Sequence, residues 1–114
     1  MIAWYKFDDE KNIGADSSGN GFDAIPAGDN APVIKEVDGR NAVLISGDGK
    51  VAASYLKLPE NILKSISDDD GLCISFWMNL SKGVNVWERL FDFGHSTMGS
   101  YFFLTRNLRA SCFS

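Results

Sequence analysis

The chain has 114 residues, a formal charge of −4 and a pI of about 4.8. That length allows one domain, residues 1–114, with a thin core, and 45% hydrophobic against 23% charged residues argues against a disordered polymer. The 11 basic residues form no run, which removes the electrostatic footing for nucleic acid or an anionic membrane surface, and no apolar stretch reaches the roughly 18 residues of a membrane span.

Ala3–Phe7 (AWYKF) alternates, with Ala3, Tyr5 and Phe7 on one side and Trp4 and Lys6 on the other. That is the pattern of a half-buried strand. Asp8–Gly21 is a loop of acids, amides and glycine, ending in a tight turn at Gly19–Asn20–Gly21. Phe22–Ile25 reads as a short strand closed by Pro26, and Val33–Val37 as an extended edge segment. Asp38–Gly39 is a turn, Ala42–Ser46 a short apolar strand, and Ser54–Leu58 an alternating strand ended by Pro59. Glu60–Ile66 is the one helical candidate, with Ile62, Leu63 and Ile66 on one face, too short to stand alone.

A polar turn at Asp68–Gly71 leads into Leu72–Leu80, the strongest strand pattern. Ile74, Phe76, Met78 and Leu80 point one way, as an inner sheet face would require, and Cys73, Ser75, Trp77 and Asn79 the other. Trp87–Phe93 is a further strand, followed by a turn region at Gly94–Gly99. Tyr101–Thr105 and Leu108–Phe113 read as a hairpin around Arg106–Asn107. Roughly eight strands with turn signals between them predict a sandwich or barrel rather than βαβ units.

Little here points to catalysis. With one histidine and two cysteines, a structural zinc site is close to excluded, and Cys73 and Cys112 read as buried free thiols. His95 lies in a Gly-His-Ser-Thr turn with no nucleophile elbow in the sequence, so it reads as a solvated turn residue. The acids of Asp8–Glu10 and Asp68–Asp70 sit in loops. Asp92, between Phe91 and Phe93, is expected half-buried and hydrogen-bonded; catalysis by Glu88 and Asp92 would need both acids to face one sugar bond.

Binding chemistry is better represented. Asp16-Ser-Ser-Gly-Asn20-Gly-Phe-Asp23 gathers oxygen ligands on a glycine-softened loop. Calcium, which needs six to eight oxygens, is one reading, with Asp16, Asn20 and Asp23 as first ligands. An Asx-capped turn without metal is the other. Trp4, Trp77 and Trp87 are candidate platforms for a sugar ring. All three fall in strands, where a tryptophan is more often core. Trp87 follows the Lys82–Asn85 loop, which places it nearest a rim and makes it the first ligand-binding candidate.

AWYKFDD, ADSSGNGFDA, NAVLISGDG with YLKLP, LCISFWMNL, RLFDFG and YFFLT occur in that order. The ordered set resembles the laminin-G-like, concanavalin A-like jelly-roll family of bacterial secreted proteins, from Ala3 to about Leu108. The resemblance implies an all-β antiparallel two-sheet sandwich. It implies an extracellular or cell-surface, non-catalytic module, carbohydrate-binding or accessory, attached to a glycoside hydrolase or adhesin, with calcium in some members. A structural or assembly domain without its own ligand, or a fragment of a jelly-roll glycosidase, are the alternatives. Ile45-Ser46-Gly47 departs from the family's F-D-G, and the family's later W-H-H-V-A and Y-V/I-D-G strands are absent. The expectation is therefore an incomplete jelly roll, its missing strands covered by a second copy or a complementing chain. No signal-peptide pattern follows Met1, which fits an excised piece of a larger polypeptide.

Overall fold

The clearest local decision in the chain is made by Asp38–Gly39. A two-residue hairpin loop of type I′ matches the right-handed strand twist and needs positive φ at both residues, which Asp-Gly tolerates. In the computed structural model, which describes residues 1–46, 54–64, 66–67, 69–79, 89–94 and 101–105, Asp38 has φ 52° and Gly39 φ 78°. The strands on either side, Val33–Val37 and Arg40–Leu44, pair antiparallel from Val37 against Arg40 out to Val33 against Leu44. One face of this hairpin carries the Ile34–Val43 pair, the other Lys35 against Ala42.

In chain order the strands are β1 (Ile25–Ala27), β2 (Val33–Val37), β3 (Arg40–Leu44), β4 (Tyr55–Lys57), β5 (Arg89–Gly94) and β6 (Tyr101–Thr105). They form three two-stranded antiparallel sheets, β1–β4, β2–β3 and β5–β6. The described residues are thus all-β and contain no helix. Tyr55–Lys57 falls within the alternating Ser54–Leu58 segment, and Val33–Val37, expected as an extended edge segment, is a strand. β1 lies later than expected and runs through Pro26, opposite Leu56. Proline cannot donate a ladder hydrogen bond, but a strand paired on one side only can carry it.

Two expected strands are not strands. Ala3–Phe7 keeps its alternation: Ala3, Tyr5 and Phe7 are half-buried, Trp4 and Lys6 exposed. Its one ladder contact is an isolated bridge between Tyr5 and Asp16. Phe7 sits at φ 56°, in the left-handed region, where a bulky side chain is strained and a strand cannot continue. Residues 72–79 of the Leu72–Leu80 pattern belong to no strand, and Ile74, Phe76 and Met78 are exposed instead of facing a core. Alternation specifies which side chains share a face; it does not supply the neighbouring ladder a strand needs.

The helical candidate becomes a chain of tight turns. Ile62, Lys64 and Ile66 donate their N–H groups to the carbonyls of Pro59, Asn61 and Leu63, each three residues back. Of the expected apolar face, Ile62 is buried, Ile66 half-buried and Leu63 exposed. The polar turn forms as expected: Asp70 N–H reaches Ser67 O, and Ser67 returns its N–H and hydroxyl to Asp70 Oδ2. Those two bonds hold the Asp70 carboxyl below the usual range.

The chain groups into two compact units, Met1–Ile74 and Ser75–Ser114. Among the described residues of the first, Gly14, Ala24, Pro32, Ser54 and Ile62 are buried. In the second, β5 and β6 pair with a bulge between Arg89 and Phe91. The Phe91 ring lies 5.8 Å from Phe93 and 6.4 Å, edge to face, from Phe76.

Candidate functional site

The densest polar constellation is the loop that follows the first aromatic segment. It begins with Asp9, whose carboxylate takes the Lys11 N–H and whose carbonyl takes the Asn12 N–H, a local turn that side-chain acids favour. Gly14 then passes so close to Ala24 that a Cβ would collide with the Ala24 backbone. The Ala24 N–H donates to Gly14 O at 2.7 Å. This approach closes residues 14–24 into a ring of chain.

Inside the ring sits Asp16. Its Oδ1 accepts the N–H groups of Trp4 and Ser18, both at 2.9 Å. Its Oδ2 accepts the Ser18 hydroxyl at 2.8 Å and the Phe22 N–H at 3.0 Å. Burial pulls the carboxyl upward, but the bonds from Trp4, Ser18 and Phe22 outweigh it and hold its pKa at about 2. Asp23 Oδ1 accepts the Asp16 N–H at 2.8 Å, and Oδ2 the Asn12 amide at 3.1 Å.

Asn20 completes the attachment. Its Nδ2 donates to Met1 O at 3.1 Å and Ile2 O at 2.9 Å, and Ser18 Oγ adds a bond to Ile2 O. Both Asn20 partners are carbonyls, which settles that the amide nitrogen faces them. The Tyr5 hydroxyl donates to Phe22 O at 2.7 Å. Burial first, then the charges of Asp16 and Asp23, push its pKa up to about 12. The segment from Met1 to Tyr5 is therefore clasped by side chains where the sequence predicts a strand held by a ladder.

The structure brings Asp16, Asn20 and Asp23 into one loop, as the sequence suggests, and gives them a different task. A calcium ion wants lone pairs aimed at a common point. Here N–H and O–H protons aim at the Asp16 and Asp23 carboxylates, and Asn20 turns a nitrogen inward. The donor set fits a hydrogen-bonded Asx clasp and does not fit a calcium cage. Among the described residues, no group of three or more histidine, cysteine, aspartate or glutamate side chains is placed to hold a metal ion.

Trp87, the first ligand-binding candidate, lies outside the described residues, as do Glu88, His95 and Cys112. Cys73 is exposed, not buried, and Asp92 is exposed, not half-buried. The Cys73 reading rested on the general burial of free cysteines, and the Asp92 reading on its place between Phe91 and Phe93; neither residue type nor neighbours alone bury a side chain. Of the described tryptophans, Trp4 is 48% exposed with the Lys6 ammonium 4.6 Å above its ring. Trp77 is 88% exposed. Reading Trp77 as a strand residue hid it. Ser18 and the Trp4 N–H were also missed, though an aspartate two residues before a serine is the signature of an Asx turn. Comparison with family models, with curated proteins and with solved structures gave no match.

Proposed function

We propose that the chain is a non-catalytic accessory module of jelly-roll type from a secreted or cell-surface protein, and that it binds glycan. The observation that carries the reading is the exposure of Trp77. A flat ring left 88% accessible forgoes the burial that normally accounts for a tryptophan. It is the shape on which the C–H face of a sugar stacks. The all-β pairing and the ordered motifs supply the jelly-roll part of the reading. The test is affinity electrophoresis through gels containing insoluble or soluble polysaccharides. Retention that falls by about tenfold in Trp77→Ala, from loss of one aromatic platform, supports the reading. Equal mobility of parent and variant on every polysaccharide removes it.

The second reading is an assembly domain without a ligand of its own. It is favoured by the side chains flanking Trp77: Phe76 and Met78 are exposed as well, so three consecutive large apolar residues face solvent. Such a run suits a partner strand, supplied by a second copy or a complementing chain. Glycan retention without self-association selects the first reading, and the reverse result selects the second.

A further inference from the structure

Asn20–Gly21 is the one Asn-Gly pair in the sequence. It is also the joint that ties Met1 O and Ile2 O, the first carbonyls of the clasped segment, to the loop. We propose that this pair is a spontaneous modification site, and that deamidation of Asn20 unclasps the first residues of the chain from the loop.

The chemistry needs an accessible backbone nitrogen next to an asparagine side chain. Gly21 offers it: no atom lies within 4 Å of where a Cβ would stand, and its φ of 76° is open to glycine and costly to others. Gly21 N–H donates to no group among the described residues. Both residues are exposed, so water reaches them. In the reaction the Gly21 nitrogen loses its proton to water or hydroxide and bonds to Asn20 Cγ. The Cγ–Nδ2 bond breaks, and Nδ2 leaves as ammonia after taking up a proton. The resulting succinimide then adds water across one of its two carbonyl–nitrogen bonds. The product is aspartate or isoaspartate at position 20, with no net oxidation.

The consequence follows from what Nδ2 does before it leaves. It is the donor to Met1 O and Ile2 O. A carboxylate there donates nothing and places negative charge against two carbonyl oxygens. It also adds a third anion to a loop that already holds Asp16 and Asp23. Ser18 Oγ keeps its bond to Ile2 O, while Met1 O loses the Asn20 donor. The same two bonds restrain the side chain before reaction. Deamidation is therefore expected to be slower in the folded chain than in a short peptide of the same sequence, and to report how often the clasp opens.

The full chain is aged at mildly alkaline pH, and peptide maps follow the conversion of each asparagine. Conversion at Asn20 well ahead of Asn12, which lies in the same loop but precedes Ile13, supports the site. Comparable rates at the two positions overturn it. The acidic aged form is then separated by ion exchange, and amide exchange at Trp4 is compared with unaged protein and with Asn20→Asp. A loss of protection of about tenfold or more, the effect of two hydrogen bonds becoming repulsive contacts, supports the release. Unchanged protection in the aged form overturns it, whether or not the variant folds.

Discussion

At the scale of single residues, Asp16 is the most consequential. One carboxylate accepts four hydrogen bonds and ties Trp4, Ser18 and Phe22 together. Asp16→Asn removes the charge and turns a donor toward donors; we expect a loss of about 2 kcal/mol, the lower part of the range for charged hydrogen bonds because the site is only half-buried. The sign of the pH effect is set by a folded pKa below the unfolded one. The contribution is complete above the ordinary aspartate value of about 4 and is lost as pH falls through about 2. Urea midpoints measured down this range should therefore fall more steeply for the parent than for Asp16→Asn. Equal slopes would show that the clasp does not form in solution. The residues of this clasp were largely legible in the sequence, because acids, amides and glycines in a loop point to local side-chain-to-backbone bonding. Which partner each would take was not, because Trp4 and Asp16 are 12 positions apart.

At the scale of elements, the pattern that decided most was turn chemistry. Asp38–Gly39 specifies its turn locally, so the places of β2 and β3 were legible to within two residues, and their pairing came from the structure. Gly39→Ala puts a Cβ on a residue at φ 78° and should cost about 1 kcal/mol. Thermal melting checks it, and an unchanged midpoint would mean the hairpin contributes nothing to the cooperative fold. Gly14 is demanding for a different reason, the Ala24 backbone against it. Gly14→Ala should cost about 2 kcal/mol or more in the same assay, because backbone cannot move aside as a flexible side chain can. The element-level readings that failed, Ala3–Phe7 and Leu72–Leu80, were the ones that rested on alternation alone. A period of two is compatible with any extended chain. A strand additionally needs a neighbour, and Pro26 shows the converse, a residue poor for strands carried into one by the pairing of β1 with β4.

At the scale of the whole molecule, small cores and exposed apolar side chains set the expectation. On the assembly reading, Phe76, Trp77 and Met78 together drive weak self-association, visible as a scattering mass that falls on dilution and is reduced in Trp77→Ala. A mass independent of concentration in both proteins would leave those side chains to a ligand alone. No helix among the described residues is long and apolar enough to cross a membrane, in keeping with the sequence. By itself the sequence determined the all-β class, the turn at Asp38–Gly39, the polar loop around Asp16 and the alternation of the first aromatic segment. Each of these is decided by residues close together in the chain. Only the tertiary structure decided that β1 pairs with β4, that Asp16 and Asn20 grip backbone atoms of Met1, Ile2, Trp4 and Phe22 while Asp23 holds Asp16 and Asn12, and that Trp77 stands in solvent. Those outcomes turn on which distant groups meet. Burial and hydrogen bonding reward such meetings only after the chain has paid the entropy of closing the loop between them.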